Sequence, residues 1–434
     1  MDKMADVLGR AGAWCGQNKY LSAIKNAFQN FMPLTIAGAI GVLWCNVLVN
    51  DQTGLGLFFK PIMALDFLNP AFQAVNFCTI SCITVGITLG IAQEIGVWNM
   101  GAERAGYIPG LVGLAAWLSV TNTSHMVDGA KEAFTGIAGN ELGATGLFTG
   151  MIIGVLSVEL FCFFEKQDAL KIKMPEQVPP GVARAFEVLV PATITLIITA
   201  CIGSACYNLT GLYLNDVIKN GIQGPLGAVG ATIPGVMIIY LVIMLFWLVG
   251  IHGNNMLSAV KEALFTPLAL ENVEKFNKGE KPTNIINMYA LQMWGEFGGS
   301  GVTIGLVIAI MIFGKREDNK AIATLSLVPG LFNINETVTF GIPMVLNPIL
   351  GIPFVFACLV TILVGYVLTV IGFCPVACLT VPWTTPPIVF GFLACGANVM
   401  GAVTQAILIV VSTVIYTPFL IAYEKYQNKQ AAEA

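Results

Sequence analysis

The sequence predicts an all-α polytopic membrane protein with about ten transmembrane helices and two re-entrant hairpins. Three observations lead there. Hydrophobic residues make up 56% of the 434 residues and charged residues 11%, with a mean hydropathy of +0.78. A soluble domain carries about 25% charged residues, so lipid must replace water over much of this surface. Nine apolar runs reach or approach the roughly 20 residues that a bilayer crossing takes. Two further apolar stretches, 321–350 and 374–398, are broken by Pro, Gly and Asn and read as hairpins or discontinuous helices.

Taken from the N-terminus, the chain opens on Asp2, Lys3, Asp6, Arg10, Lys19 and Lys25 before any long apolar run, which does not fit a secretory signal. Residues 8–28 predict an amphipathic surface helix, with Leu8, Trp14, Tyr20, Leu21, Ile24 and Phe28 as apolar contacts, within an N-terminal segment 1–30. The expected spans are 31–49, 71–92, 106–123, 142–164, 186–207, 228–251, 300–313, 352–373 and 399–421. The loop 165–185, with Met174-Pro175-Glu176 and Pro179-Pro180-Gly181, separates two halves. With span 186–207 counted in the first half, the chain divides into 31–207, 208–423 and a tail 424–434. Nearly all irregular apolar backbone falls in the second half. Non-helical backbone at membrane depth is tolerated where it is buried or lines a cavity, so the site is expected there.

Lys and Arg collect in the N-terminal segment, at 165–185, 261–281 and 315–320, and in the tail, whereas 50–70 holds only Lys60 and 124–141 only Lys131. By the positive-inside rule, both termini and the 165–185 loop face the cytoplasm. The net charge of −4 offers no basic patch for nucleic acid. Most cysteines lie in apolar stretches and read as small packing residues. Cys374 and Cys378 could share a helix face but supply too few ligands for a metal, and neither a metal nor another cofactor is expected.

Charge exclusion isolates the candidate site. Between Lys219 and Lys261 the sole His, Asp, Glu, Lys or Arg is His252, and between Lys320 and Glu424 it is Glu336. An ionisable side chain at mid-membrane costs about 2.5–3.5 kcal/mol even on insertion scales, which points to a function for the survivors; the alternatives are a helix-end or snorkelling role for Glu336 and a satisfied structural role for His252. Glu336 closes Asn333-Ile334-Asn335-Glu336 between Pro329-Gly330 and Gly341-Ile342-Pro343, a polar turn in an apolar hairpin. A carboxylate there accepts hydrogen bonds from vicinal hydroxyls and can serve as general base. His252 lies in Gly250-Ile251-His252-Gly253-Asn254-Asn255, where glycine permits close backbone approach and Asn254 offers donor and acceptor. Trp383, in Pro382-Trp383-Thr384-Thr385-Pro386-Pro387, and Trp294, before Gly295-Glu296-Phe297-Gly298-Gly299-Ser300-Gly301, could stack on a sugar face or anchor at the interface. His125 lies in a loop outside this pocket. Glu159 and Glu187 lie close to the cytoplasmic loop and read as snorkelling side chains; roles for Glu94 and Glu262 stay open.

Several motifs carry a resemblance. Met32-Pro33-Leu34-Thr35-Ile36, Phe246-Trp247-Leu248-Val249-Gly250-Ile251-His252-Gly253, Gly298-Gly299-Ser300-Gly301, Asn333-Ile334-Asn335-Glu336 running on to Val345-Leu346-Asn347-Pro348, and Pro382-Trp383-Thr384-Thr385-Pro386-Pro387 resemble the lactose/cellobiose/diacetylchitobiose family of phosphotransferase-system IIC proteins. The resemblance implies a homodimeric sugar permease of the bacterial cytoplasmic membrane, with a mobile transport domain in its second half. It also implies that the positions matching His252 and Glu336 hold the sugar and take part in its phosphorylation. Asn254, Asn335, Trp383 and Trp294 complete the expected substrate contacts. The phosphoryl donor would be a phosphocysteine on a separate cytoplasmic IIB protein, charged by IIA, since no stretch here is long enough for a fused donor domain. On this reading the chain is the transporter subunit of a phosphotransferase complex, not an enzyme by itself. Two departures bear on the sugar accepted: Thr337 stands where the family usually has proline, and Gln93 where tyrosine is expected after Ala92. A proton-coupled sugar transporter using Glu336 and His252 as relay is the alternative. A membrane metalloenzyme is disfavoured by two histidines 127 positions apart with no His-Glu-x-x-His.

The charge asymmetry has a direct check. A cysteine placed at Lys171 should react with an impermeant thiol reagent only from the cytoplasm, and one at Thr53 only from outside; reversed labelling would overturn the orientation.

Overall fold

The computed structural model describes residues 10, 14, 17–51, 55–125, 134–175, 177–225, 230–342, 344, 345 and 347–433. Leu8, Thr53, Lys131, Glu176, Pro343 and Leu346 lie outside the described residues. The described chain is mostly helical, with a two-residue β-ladder pairing Ser124–His125 and Phe134–Thr135.

Each of the nine apolar runs contains a helix. Six are long and apolar enough to cross a membrane: Lys19–Leu48, Lys60–Met100, Ala144–Glu165, Pro180–Thr210, Gly351–Val370 and Val399–Gln430. Three are shorter: Ile108–Val120, Ile233–Leu248 and Ile304–Phe313. A ten-residue helix such as Ile304–Phe313 rises only about 15 Å, half a hydrocarbon core, so it does not span alone. Local signals set several ends. Thr232 accepts a hydrogen bond from the Gly235 N–H at 3.2 Å and caps Ile233–Leu248. Gly211, at φ +71°, ends Pro180–Thr210. From Lys19 onward the expected amphipathic segment is not a separate element, because helix runs unbroken from Lys19 to Leu43.

The chain forms two compact units, one of residues 17–38 and 74–228 and one of 1–16, 39–73 and 229–434. In the first, small residues let the helices approach closely. A Cβ on Gly113 would stand 2.3 Å from Ala92 Cβ, and one on Gly150 2.2 Å from Thr88 Oγ1. This is how helices pack where lipid removes the hydrophobic drive between them. Ala116, Trp117, Val120 and Ile153 form a core cluster beside Val85, Leu114, Leu142, Leu196 and Leu214.

The acidic residues of these runs are bonded. Glu94 accepts from Asn26 at 2.9 Å, and Glu159 pairs with Lys19 at 2.6 Å. Glu165, with its side chain buried, accepts from Arg104 Nε and Arg184 Nη1, each at 2.9 Å. Glu187 pairs with the same two arginines at 3.0 and 2.8 Å. The network fastens short helix Ala102–Ala105 and the ends of Ala144–Glu165 and Pro180–Thr210 around the loop that joins the last two.

In the second unit the interruptions fall where Pro, Gly and Asn break the sequence. Stretch 321–350 resolves into helix Glu317–Leu331, a turn, and short helix Glu336–Gly341. In 374–398 the helical element is Val389–Ala394. Residues 374–388 are not helical, so Cys374 and Cys378 share no helix face; Cys374 instead lies 3.9 Å from Cys395. Among the described residues no cluster of three or more His, Cys, Asp or Glu could hold a metal. Lys261, counted above with the basic stretch, is buried and paired with Glu296. Glu424 on the last helix accepts from the Lys315 N–H at 2.8 Å and from Asn319 Nδ2 at 3.1 Å, anchoring the start of Glu317–Leu331. Nearby, the Arg316 guanidinium holds the Asp318 carboxyl below the usual carboxylate range.

Glu165→Gln tests the arginine network. Loss of charge-assisted bonds at a buried acceptor should cost about 1.5–3 kcal/mol, read as a lower unfolding midpoint in detergent. An unchanged midpoint would mean the network adds nothing to stability.

Candidate functional site

Short helix Gly253–Met256 follows Ile233–Leu248 after a break, and His252 is its N-cap. His252 Nδ1 accepts from the Asn255 N–H at 3.3 Å. A neutral ring therefore carries its proton on Nε2. The ring lies against Trp247, centroids 4.4 Å apart. Glu336 opens helix Glu336–Gly341, three residues after the left-handed Asn333 at φ +63°. The fold brings these residues together from 84 positions apart: His252 Nε2 lies 3.8 Å from Glu336 Oε1, with side chains 40% and 47% exposed. That gap is too long for a direct hydrogen bond, yet short enough for one oxygen atom set to the side of the line between them to bond both.

The bend after Trp294 supports this pair. Gly298, Gly299, Gly301 and Val302 all have positive φ. Gly298 N–H donates to Asn333 Oδ1 at 2.6 Å. Asn333 Nδ2 in turn donates to the carbonyls of Trp383 and of Thr385, the latter at 3.1 Å. Asn335, 4% exposed, donates to the Ser300 carbonyl at 2.9 Å. Asn254 Nδ2 donates to Ser300 Oγ at 3.0 Å. A Cβ on Gly299 would stand 2.6 Å from Asn335 Cβ, and one on Gly301 2.4 Å from the Phe354 ring. Only glycine fits.

The other expected residues divide by depth. Trp383 is 45% exposed, on the segment that Asn333 holds. Trp294 is 1% exposed, in the core, where Gly365 packs on its ring. Asn254 Oδ1, Trp247 Nε1 and Trp294 Nε1 are buried without a protein hydrogen-bond partner. His125 belongs to the other unit, in the small β-ladder, with its ring Nε2 3.2 Å from the Asn122 carbonyl. Gln93 also lies there, bonded to the Gly106 carbonyl and the Gly110 N–H.

Comparison with known proteins decides the family. The phosphotransferase system EIIC family matches residues 25–358. The chain belongs to the phosphotransferase system EIIC family. An EIIC component is the membrane permease of such a system, so this is a multi-pass sugar permease. The chain is 33% identical, over 98% of its length and 94% of the relative, to the oligo-beta-mannoside-specific EIIC component of Bacillus subtilis (strain 168). It is 29% identical, over 98% of both, to the cellobiose-specific EIIC component of Lactococcus lactis subsp. lactis (strain IL1403). The crystal structure of the transporter ChbC, the IIC component from the N,N′-diacetylchitobiose-specific phosphotransferase system, superposes with a TM-score of 0.88 at 29% identity, covering 97% of each chain.

The groups behind the pair are not singled out by charge exclusion in the sequence of this EIIC component. Asn333 stands there only as part of a motif. An asparagine just past a helix end is a recognised left-handed position, and that signal was available. Ser300 carried no such signal, because its partners lie 46 and 35 residues away. Glu296 accepts from the Tyr240 hydroxyl at 2.7 Å and pairs with Lys261, a contact between residues that sequence spacing does not relate.

Gly299→Ala is expected to abolish sugar binding and lower the folded yield, because the added methyl meets Asn335 at a left-handed position. Wild-type sugar affinity in that variant would show that the bend tolerates a side chain.

Proposed function

We propose that this EIIC component imports a β-linked disaccharide such as cellobiose, N,N′-diacetylchitobiose or lactose, and presents one hydroxyl for phosphorylation by phospho-IIB. The observation that carries the reading is the 3.8 Å gap between His252 Nε2 and Glu336 Oε1. A hydroxyl oxygen placed there accepts from the Nε2–H and donates to the carboxylate. The named specificities of the relatives support the sugar class.

Glu336 takes the hydroxyl proton while the oxygen attacks phosphorus in line. The P–S bond to the IIB cysteine breaks, and the sulfur leaves as thiolate. His252 holds the oxygen as its charge changes. Asn254 and Asn335 bond to further hydroxyls, Trp383 stacks on the apolar sugar face, and Trp294 backs the site from the core. Residues 208–423 form the moving transport domain, and 31–207 form the scaffold of a homodimer. Stretches 321–350 and 374–398 are the re-entrant hairpins within about ten crossings, and both termini face the cytoplasm. IIA recharges IIB.

The same pair would also suit a proton relay, and one experiment separates the two. Purified protein in vesicles should bind or exchange sugar unchanged, and form phosphosugar only when phospho-IIB is added. Glu336→Gln should weaken sugar binding by about 1.5–3 kcal/mol and lower phosphorylation by about 10²–10⁴-fold. His252→Gln should lower turnover more than affinity, and His125→Gln should match wild type. Uphill accumulation of free sugar, abolished by an uncoupler and independent of phospho-IIB, would establish the relay instead. Intact phosphorylation in both the Glu336 and His252 variants would put the site elsewhere.

A further inference from the structure

One residue stands between the two arms of the pair. Ser300 is 4% exposed, and it is bonded on both sides. Its Oγ accepts from Asn254 Nδ2 at 3.0 Å, two residues along the chain from His252. Its carbonyl accepts from Asn335 Nδ2 at 2.9 Å, one residue before Glu336. Among the described residues, the hydrogen bonds connecting segment 250–257 with segment 333–341 run through Ser300. Ser300 is itself fixed. The Val302 N–H donates to the Gly299 carbonyl at 3.1 Å, Thr303 Oγ1 donates to the Gly298 carbonyl at 2.6 Å, and Tyr416 donates to the Gly301 carbonyl at 2.7 Å.

We infer that Ser300 is a positioning residue for phosphoryl transfer, setting the His252–Glu336 separation so that one hydroxyl oxygen reaches both. This rests on the reading of that pair as the hydroxyl site. An oxygen in hydrogen-bond contact with both atoms requires them to be less than about 5.6 Å apart, twice an ordinary bond length. At 3.8 Å the pair meets this, and a drift of about 2 Å in either arm would end it. Sugar affinity draws on several hydroxyls and on stacking, whereas transfer needs this one oxygen held at both ends. Loosening the Ser300 link therefore acts on turnover before affinity. Asn254 sharpens the effect. Its Oδ1 has no protein partner, so the bond to Ser300 Oγ is what holds its side chain.

The test is a double-mutant cycle on full-length protein in vesicles with phospho-IIB, reading sugar Kd and phosphosugar turnover separately. Ser300→Ala should lower turnover about tenfold or more while Kd changes less than about threefold. In the Asn254→Ala background, Ser300→Ala should cost nothing further, since both remove the same bond. Wild-type turnover in Ser300→Ala, equal losses of affinity and turnover, or losses that multiply in the double variant would each overturn the inference. If Ser300→Ala does not accumulate, Asn254→Ala and Asn335→Ala cut the two links from outside the bend, and unchanged turnover in both would overturn it. Failure of the underlying function looks different: wild-type protein would then form no phosphosugar at all.

Discussion

The second unit depends on a short piece of backbone that is neither helix nor strand yet has to be satisfied in apolar surroundings. The bend Gly298–Val302 has four residues with positive φ, one of them the β-branched Val302 at +50°. Such a conformation persists only where its surroundings over-determine it. Here the surroundings are polar side chains from distant segments. Asn333 takes the Gly298 N–H, Asn335 the Ser300 carbonyl and Tyr416 the Gly301 carbonyl. An unpaired backbone group in such a place costs several kcal/mol. The bend is therefore held by segment 333–335 and the last helix, and the same bonds hold the candidate site.

Charge follows a related rule. Carboxylates that hold the fold together are paired: Glu296 with Lys261 and Tyr240, Glu424 with Asn319 and the backbone at Lys315, and Glu165 with two arginines. Removing a partner from such a group strands a charge. The His252–Glu336 pair is built differently. Both side chains are about half exposed and stand too far apart to satisfy each other directly. A pair meant for stability would close the gap. On the proposed reading, a substrate atom makes the missing contacts.

Much of this was legible in the sequence because lipid makes the rules severe. Exclusion of charge over 321–423 singles out Glu336 without any structural knowledge, and the nine apolar runs each became a helix. Legibility ended where a property depends on contacts remote in the chain. The depth of Trp294, the burial of Lys261 and the bonds of Ser300 are set by neighbours 35 or more residues away. Helical spacing misled at Cys374 and Cys378, because the Pro-rich segment that begins at Cys374 prevents a helix. Composition gave the number of apolar runs but not how deep each reaches, since a ten-residue helix and a thirty-residue one share the same hydrophobic signature.

On the proposed reading of the pair, its polarity also accounts for release. With Nδ1 occupied by the Asn255 N–H, His252 presents a donor from Nε2, and Glu336 presents an acceptor. A hydroxyl satisfies both because it accepts and donates through one atom. Two acceptors would instead have suited a cation, and two donors an anion. Once phosphorylated, that oxygen is an ester oxygen with no hydrogen to give, so when Glu336 has passed to solvent the proton it took, the bond between them is lost. The phosphoryl group then also brings negative charge against the regenerated carboxylate. At contact distance two like charges repel by about 1 kcal/mol in water and about 4 kcal/mol near a protein surface. On that reading, the feature that recognises the unmodified hydroxyl rejects the product once the proton has left Glu336.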